Sequence, residues 1–559
     1  MTGSASSVLW NISRRLYLKR QKNSQEKTEA DSEQQDVSKE KDGGTDMACR
    51  VFGAIDVGSY EVNLKIYELS ARNGIRVLNH VRHRLDLGSD TYATGKIGTE
   101  LVDELCQVLL DFKRIMKDYG VQEYRACATS AIRETHNTLI LLDRIYLKTG
   151  IHIEVLANSE QRYLGYKSIA SNENAFQNII EKGTAIVDVG GGSVQISLFD
   201  KDNLVTTQNI RMGSLRLRER LADVAERTVR YAAVVEELLD NELRTYKKLY
   251  LKDRNIQYVL LVGSYVHDIE QYMQKNGIGR EIDRETFLKF YENHVRKGER
   301  ELAQELGVSN ENGALLIPAM VIYKRFLEET GAEKVIILGT DLSDGMAYDH
   351  GVKKGILKPE HNFENDIIEA ARNIAKRYHT NRNHTIVMEQ LALTIFDKLK
   401  NVHGLGRRER LLLQIAVLLH DCGKYINMSR SSECSYNIIM ATEMIGLSHL
   451  ERELVANVVR FNSGEILSYE ELAASSLLGK EEYMKIAKLT AILRVANALD
   501  RSHRQKIREI KVTLKDNHTM QILVDTTEDL TLEQALFGEK AEFFEEVYSI
   551  RPVLKAKRM

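Results

Sequence analysis

The sequence predicts an internally duplicated α/β fold in the N-terminal part of the chain, followed by a helical region and a small α+β segment. Two strand-turn-strand units recur about 130 residues apart, which indicates the duplication. From residue 363 the apolar residues recur with the period of a helix, and alternating segments return after residue 505. A chain of 559 residues also exceeds one core, because cores stop growing at about 250 to 300 residues.

The composition excludes several kinds of partner. The chain has 43% hydrophobic residues and a net charge of -2, so it lacks the general basic footprint of a nucleic-acid-binding protein. No apolar run approaches the roughly 18 to 20 residues that a membrane span needs. The five cysteines lack CxxC spacing, which favours free thiols and a cytoplasmic location. We therefore expect neither nucleic acid nor a membrane as a partner.

Residues 1–49 differ in composition from the rest of the chain. They are rich in Lys, Glu, Gln, Ser and Asp and offer little apolar surface to bury, which predicts a disordered N-terminal extension. The apolar and basic stretch from Val8 to Lys19 leaves open an amphipathic targeting or membrane-surface helix. Initiation at Met47 would account for the same composition.

The two repeated units end in similar turns. The first strand ends in Asp56-Val-Gly-Ser59 and the second in Asp188-Val-Gly-Gly-Gly-Ser193, and an alternating strand follows each turn. Glycines let a backbone approach an anion closely, and successive N–H groups in such a turn bind anions. A carboxylate at the end of each strand can hold a divalent cation against bound phosphate. The plain alternative is a pair of hairpin turns that use Asp and Gly for their backbone conformation.

The order and spacing of five segments resemble the Ppx/GppA phosphatases, which are exopolyphosphatases and guanosine pentaphosphate phosphohydrolases. The resemblance runs from about Val51 to about Arg551. It implies a two-lobed actin-like fold (ASKHA, ribonuclease H-like duplicated), with lobe I at residues 50–180 and lobe II at residues 181–355. The five segments are Ile55-Asp-Val-Gly-Ser59, Ala128-Thr-Ser-Ala-Ile-Arg133, Ile153-Glu-Val-Leu-Ala-Asn-Ser-Glu160, Asp188-Val-Gly-Gly-Gly-Ser193 and Met212-Gly-Ser-Leu-Arg216-Leu217.

The resemblance also implies roles for individual residues. Glu160 would orient or deprotonate the attacking water, and Arg133 would contact phosphate through its planar guanidinium group. Asp56 and Asp188 would serve Mg²⁺ or Mn²⁺ in the front cleft. From the residues alone, Glu160 also fits a helix-start cap and Arg133 a surface ion pair. The phosphate contacts implied by the resemblance are Gly58, Ser59, Gly190, Gly191, Gly192 and Ser193.

Several positions depart from the family pattern. Ser130 stands where some members carry a catalytic Glu, and Gln195 stands where Glu is usual. Tyr60 and Glu61 replace the usual Asn-Ser. The turns survive while acids and arginines around them are fewer, which keeps a catalytically weakened regulator that binds polyphosphate or an alarmone as an alternative.

The helical region carries a second candidate site. His420-Asp421-Cys-Gly-Lys424 is preceded by His384 and followed by Asp500. This pattern resembles an HD-type domain, at residues 363–505, in which His384, His420, Asp421 and Asp500 would hold one divalent transition metal. Comparable domains place further histidines where this chain has Ser432, Cys434 and Asn462, so we expect one metal there and not two. Residues 506–559 form the small α+β segment.

Three functions follow from these features. The leading hypothesis is an exopolyphosphatase-like phosphohydrolase that releases terminal orthophosphate from inorganic polyphosphate by metal-assisted attack of water. The alternatives are a guanosine pentaphosphate 5'-phosphohydrolase, and a regulator or an HD-domain phosphohydrolase. A homodimer is expected from the resemblance, in which the helical domain extends the polyphosphate channel and the dimer surface.

Overall fold

The computed structural model describes residues 50–172, 176–201, 203–225, 227–228, 230–251, 254–359, 361–476, 478–516 and 518–557. The predicted N-terminal extension lies outside these residues. The chain divides into two compact units, Met1–Asn362 and Phe363–Met559. Within the described ranges, no helix is both long and apolar enough to cross a membrane.

The first sheet of the N-terminal unit is mixed. Its strand order is β3-β2-β1-β4-β5, with β1 antiparallel to β2 and parallel to β4. Both faces of β1 and β2 bury apolar side chains, as expected of inner strands covered by helices. The strands are β1 (Arg50–Val57), β2 (Glu61–Ser70), β3 (Gly74–Arg84), β4 (Glu123–Ala128) and β5 (Glu154–Val155).

The second sheet repeats this topology and adds one edge strand. Its order is β8-β7-β6-β9-β11-β10, in which β6, β7 and β8 form an antiparallel meander and β6 is parallel to β9. The repeat confirms the predicted duplicated α/β fold. The strands are β6 (Thr184–Val189), β7 (Val194–Asp200), β8 (Asn203–Ile210), β9 (Tyr258–Val262), β10 (Glu281–Asp283) and β11 (Lys334–Ile337).

The repeat extends to individual residues. Asp56 on β1 is paired with Asn63 on β2, and Asp188 on β6 is paired with Gln195 on β7. Side chains of paired residues project from the same face of a sheet. Each lobe therefore presents one carboxylate beside one amide at the end of its first strand.

Helices cover the sheets through apolar faces, which are formed by apolar residues spaced three or four positions apart. Helix Thr99–Asp118 buries Val102, Leu105, Leu109 and Phe112, which fall on one side of it. The other helices of this unit are Leu87–Thr94, Ser130–Glu134, Thr138–Thr149, Asn158–Asn172, Phe176–Glu181, Ser214–Arg220, Ala222–Ala225, Tyr231–Tyr246 with the π-helical Lys247–Leu251, Ser264–Lys275, Arg284–Val295, Glu299–Leu306, Asn310–Thr330 and Leu342–Lys353.

Helix Leu342–Lys353 changes the predicted lobe boundary. We assigned residues 181–355 to lobe II, but this helix packs on the first sheet, where Met346 joins a buried cluster with Phe52. Gly345 lets the same helix approach helix Asn158–Asn172 closely, because a Cβ there would lie 2.0 Å from the Leu164 carbonyl oxygen. The last helix of the second segment is therefore part of the first lobe.

The C-terminal unit is mainly helical, in agreement with the predicted fold class. A small sheet of order β12-β13-β14 follows the helices, with β12 (Glu509–Asp516), β13 (Thr519–Asp525) and β14 (Arg551–Lys557). Helix Arg407–Leu419 buries residues on every side between Leu411 and Leu419, so it lies in the centre. The other helices are Phe363–Arg377, Arg382–Lys398, Lys400–His403, the 3-10 turn Cys422–Tyr425, Ser431–Ala441, His449–Ser463, Tyr469–Ser475, Lys480–Leu499 and Thr531–Tyr548.

Candidate phosphate cleft and histidine cluster

A cleft of about 160 Å³ lies in the N-terminal unit where the two repeated turns meet. It is lined by the carboxylates Asp56 and Asp188 and by residues of both turns. Of the six residues predicted to contact phosphate, those that line it are Gly58, Ser59, Gly190, Gly191 and Ser193.

The two turns have the same hydrogen-bond pattern. The backbone N–H of Gly58 donates to the Glu61 carbonyl at 2.9 Å, and the N–H of Gly190 donates to the Ser193 carbonyl at 3.0 Å. These bonds close two hairpins, so the structure contains the hairpin turns of the alternative interpretation. Because both turns also line one cleft, the hairpin and the phosphate-loop interpretations are compatible.

Gly192 has a packing contact, and its predicted contact with phosphate stays a prediction. A Cβ at this position would lie 2.1 Å from the Tyr92 hydroxyl and 2.6 Å from the Ser130 hydroxyl. Gly192 therefore allows the second turn to pack closely on the first lobe. The Ser59 hydroxyl joins the same contact, at 2.8 Å from Tyr92 and 3.2 Å from Ser130.

Arg216 binds the backbone of the triple-glycine turn. The sequence analysis gave this residue no role. Its Nε donates to the Gly192 carbonyl at 2.8 Å, and its Nη2 donates to Glu134 at 2.8 Å. The guanidinium carbon lies 4.0 Å from the centre of the Tyr92 ring. The position of Arg216 in one of the five family-like segments was the available signal.

The two half-buried carboxylates lose solvation in the cleft, which makes their charged forms costly. Burial, with the nearby charges of Asp341, Glu61 and Asp188, raises the pKa of Asp56 to about 8. Burial raises the pKa of Asp188 to about 6, against the attraction of Arg162. A cation in the cleft would favour the ionised form of both groups.

The oxygen atoms around these carboxylates fit a hard divalent cation. Within the described part of the chain, the Asp56 Oδ1, Asn63 Oδ1 and Gln195 Oε1 atoms are buried and lack a hydrogen-bond partner. All three residues line the cleft. Carboxylate and amide oxygens, with water, are the ligands that Mg²⁺ and Mn²⁺ accept.

The raised pKa of Asp56 gives a stability prediction. The native state keeps a proton on Asp56 that the unfolded state releases above pH 4, so the free energy of unfolding falls as the pH rises from about 4 to 8. The loss is on the order of 5 kcal/mol, while an amide left without partners costs about 1 to 3 kcal/mol. We therefore expect Asp56→Asn to raise the thermal midpoint of the metal-free protein at pH 8.

The comparison is made by thermal unfolding of both proteins in chelator at pH 5 and at pH 8. The gain should shrink at pH 5, where the wild-type side chain is protonated, and added Mg²⁺ should stabilise the wild type more than the variant. Equal midpoints at pH 8 would contradict the burial of an ionisable Asp56.

Lys65 is a cleft residue that the sequence analysis missed. Its ammonium group lies 2.7 Å from Asp341 and 3.2 Å from Asp344, and the Tyr67 hydroxyl donates to Asp344 at 2.7 Å. Lys65 and Tyr67 project from the same face of β2 as Asn63, because alternate residues of a strand share a face. The presence of a lysine within the predicted alternating strand could have marked Lys65 as a candidate residue of the cleft.

Glu160 and Arg133 have structural contacts. The Glu160 Oε2 atom accepts from the Ala157 backbone N–H at 2.9 Å, as a helix-start cap does. The Arg133 Nη1 atom donates to the Leu156 carbonyl at 2.8 Å and to Gln161 Oε1 at 3.3 Å. Gln161 is one of the described residues that line the cleft, whereas Glu160 and Arg133 are not among them. The catalytic roles of Glu160 and Arg133 stay predictions.

The C-terminal unit brings the four predicted HD-type residues into one buried cluster. The His384 Nδ1 atom lies 2.7 Å from Asp500 Oδ2, and its Nε2 atom lies 3.2 Å from His420 Nε2. Asp421 Oδ1 lies 3.6 Å from His420 Nε2. A residue that the sequence analysis missed, His503, stacks on His384 with ring centroids 3.6 Å apart.

Comparisons with known proteins agree with this architecture. The family model for the Ppx/GppA phosphatase family matches residues 66–353, and the model for Ppx/GppA phosphatase, domain III, matches residues 368–540. A guanosine-5'-triphosphate,3'-diphosphate pyrophosphatase of Photobacterium profundum is 19% identical over 447 residues, which are 79% of this chain and 86% of that protein.

Solved structures of similar proteins cover about half of the chain. An exopolyphosphatase from Cytophaga hutchinsonii is 19% identical with a TM-score of 0.47, and the match covers 55% of this chain and 99% of that one. An Aquifex aeolicus Ppx/GppA family member is 18% identical with a TM-score of 0.45, covering 56% of this chain and 100% of that one. The family models, which together span most of the described chain, carry the assignment. The chain belongs to the Ppx/GppA phosphatase family, and it is a phosphoanhydride hydrolase of that type.

Proposed function

We propose that the protein releases terminal orthophosphate from inorganic polyphosphate by metal-assisted attack of water in the N-terminal cleft. One observation carries the proposal. The two repeated turns and the two half-buried carboxylates, Asp56 and Asp188, line the same cleft. An anion and the cation that neutralises it would therefore meet at one place.

In such a reaction, different residues of the cleft would bind the phosphoryl group and the metal ion. The turns at Ser59 and Gly191 would hold the terminal phosphoryl group, since their backbone can approach an anion closely. Asp56 and Asp188, with the Asn63 and Gln195 oxygens, would hold Mg²⁺ or Mn²⁺. When bound, the metal supplies positive charge against the oxygens of the phosphoryl group.

Water activation is assigned to Glu160 and phosphate contact to Arg133, on the basis of the family resemblance. Gln161, the next residue after Glu160, supports this placement, because it lines the cleft and accepts a hydrogen bond from Arg133. Glu160 accepts the Ala157 N–H through Oε2, a contact that fixes the carboxylate at the helix start. A fixed carboxylate at this position would orient one water molecule for in-line attack.

Polyphosphate is preferred over a nucleotide because the sequence shows no nucleoside-selective feature. Lys65 and Arg82 line the cleft together with the two turns and place positive charge beside its carboxylates. The second candidate is guanosine pentaphosphate, which the name of the Photobacterium relative favours.

The proposal includes a homodimer, on the family resemblance, and a cytoplasmic location. A reducing compartment suits the free thiols, within the described ranges, of Cys106, Cys127, Cys422 and Cys434.

The purified full-length protein tests the proposal in a phosphate-release assay with Mg²⁺ or Mn²⁺. Long polyphosphate and guanosine pentaphosphate are compared at equal concentrations of terminal phosphate. Faster release from polyphosphate supports the leading proposal, and faster release from the nucleotide supports the second candidate. Tight binding of either anion without release would indicate the regulator that the departures at Ser130 and Gln195 left open.

The carboxylate pKa values predict how the metal requirement depends on pH. A metal must displace the proton from Asp56, whose pKa is about 8, and from Asp188, whose pKa is about 6. Between pH 8 and pH 6, the ionised fraction of Asp56 falls about 50-fold and that of Asp188 about twofold. The Mg²⁺ concentration for half-maximal release should therefore rise up to about 100-fold. A requirement that does not change with pH would contradict the assignment of these ligands.

Gly191 provides a test of the contact between the two turns. A Cβ there would lie 3.3 Å from Ser59 Cβ and 3.5 Å from Leu215 Cβ, so a larger side chain would push the turns apart. Overpacking of this kind costs about 1 to 3 kcal/mol, or about 5- to 150-fold in binding. We expect Gly191→Val to weaken polyphosphate binding by that factor in a direct binding measurement.

The matched control is Gly279→Val in the same lobe, where a Cβ would meet no atom within 4 Å. The control should bind as the wild type does. Unchanged binding by a correctly folded Gly191→Val variant would show that polyphosphate does not use this turn.

A further inference from the structure

The histidine cluster of the C-terminal unit brings two imidazole nitrogen atoms close together. The His384 Nδ1 atom faces the Asp500 carboxylate at 2.7 Å, and the His420 Nδ1 atom faces the Val417 carbonyl at 2.7 Å. Both partners accept hydrogen bonds only, so each Nδ1 carries the proton. In the neutral rings, both Nε2 atoms therefore present lone pairs, and these atoms lie 3.2 Å apart.

This separation matches the distance between two neighbouring ligand atoms that bind one metal ion. Imidazole nitrogens bind zinc and similar metals at about 2.0 to 2.1 Å, which places neighbouring ligand atoms about 2.9 to 3.4 Å apart. Asp421 Oδ1 lies 3.6 Å from His420 Nε2 and provides an anionic ligand. The other oxygen of Asp421 accepts from Lys424 at 2.6 Å, which fixes the orientation of the carboxylate.

Asp500 is committed to other contacts. Its Oδ2 atom accepts from His384 Nδ1, and its Oδ1 atom accepts from the backbone N–H of Gln505 at 2.8 Å. Gln505 Nε2 also lies 3.4 Å from Oδ2. A carboxylate bonded to the far nitrogen of a metal-binding histidine fixes the tautomer and orientation of that ring.

His503 is held at the cluster by a strained loop. Its φ is 55° and that of Gln505 is 51°, a left-handed conformation that costs non-glycine residues energy. Ligand atoms of His384, Asp421 and His503 lie within 4.8 Å of one another. Because the His503 and His384 rings are stacked at an interplanar angle of 10°, His503 must tilt out of the stack to point a nitrogen at a shared ion.

We propose that the C-terminal unit binds one divalent transition metal through His384, His420, Asp421 and His503, and that Asp500 is a positioning residue and not a ligand. This assignment differs from the set implied by the HD-type resemblance, in which Asp500 is the fourth ligand. Three imidazoles and one carboxylate select Mn, Fe, Co, Ni or Zn over Mg or Ca. All residues of this site belong to the C-terminal unit, whereas the residues that line the proposed phosphate cleft belong to the N-terminal unit.

The test is a Co²⁺ titration of the chelator-treated full-length protein in excess Mg²⁺, which occupies sites made of oxygen ligands. Visible absorption reports the coordination of Co²⁺, and elemental analysis reports its stoichiometry. We expect one Co²⁺ per chain in the wild type and loss of this ion in His384→Ala. His503→Ala should change the absorption spectrum and weaken binding at least tenfold, and added imidazole should restore the spectrum.

Asp500→Asn separates a positioning residue from a ligand. The amide oxygen can still accept from His384 Nδ1, so the spectrum should keep its shape while affinity falls about 10- to 100-fold. His449→Ala, in the same unit, is the control and should bind as the wild type does. A changed spectrum in Asp500→Asn with an unchanged one in His503→Ala would overturn the assignment, and so would a wild type that binds no Co²⁺.

Discussion

Replacing Asp188 with asparagine is expected to lower metal-supported phosphate release about 100- to 10,000-fold. The metal supplies several kcal/mol of charge stabilisation in such reactions, and each 1.36 kcal/mol corresponds to a factor of ten in rate. Asn has nearly the same shape, so the buried position remains filled while the charge that holds the cation is lost. The measurement is the initial rate of phosphate release over a range of Mg²⁺ concentrations.

Asp200→Asn is the matched control for this variant. Asp200 lies at the end of β7 in the same lobe and pairs with Arg254 at 3.2 Å. Surface ion pairs contribute little, so the control should retain its rate. If Asp188→Asn kept the wild-type rate and metal requirement, the catalytic metal would not lie in this cleft.

Replacing Glu160 with glutamine is expected to lower phosphate release by about 100- to 10,000-fold, the usual cost of losing a general base. Gln can still accept the Ala157 N–H through its amide oxygen, so the substitution preserves the helix-start contact. It removes only the negative charge that would orient or deprotonate water. Phosphate release and polyphosphate binding are measured in parallel, and binding should remain near the wild-type value.

The two interpretations of Glu160 give opposite results in this experiment. If the residue is only a cap, Glu160→Gln should hydrolyse polyphosphate at the wild-type rate and unfold at the wild-type temperature. Glu471→Gln provides the control, because Glu471 accepts the Ser468 N–H in an equivalent cap outside the cleft. Loss of release in both variants would point to a general folding defect.

The parts of the fold that depend on local pattern could be predicted from the sequence. Asp56 and Asp188 each end an apolar strand before a glycine-containing turn, and the alternating strand after each turn has a recognisable period. Those local signals were enough to indicate the duplication and the paired turns. His384, His420, Asp421 and Asp500 were identified through the resemblance to an HD-type domain, and the structure brings all four together.

Features that depend on distant parts of the chain could not be predicted. Lys65 binds Asp344, which lies 279 positions away, and the sequence contains no local signal for that pairing. Helix Leu342–Lys353 packs on the first sheet through Met346, although it follows the strands of the second. His503 lies in a loop where it and Gln505 adopt a left-handed backbone, and the sequence pattern does not place that loop at the cluster.

The central claim is that the N-terminal cleft hydrolyses the terminal phosphoanhydride bond of polyphosphate. The most direct measurement is phosphate release from long polyphosphate by the full-length wild type, Asp188→Asn and His384→Ala, each with Mg²⁺. We predict release by the wild type and His384→Ala at similar rates, and loss of release in Asp188→Asn. Release that survives in Asp188→Asn and is lost in His384→Ala would contradict this account and place the reaction in the C-terminal unit.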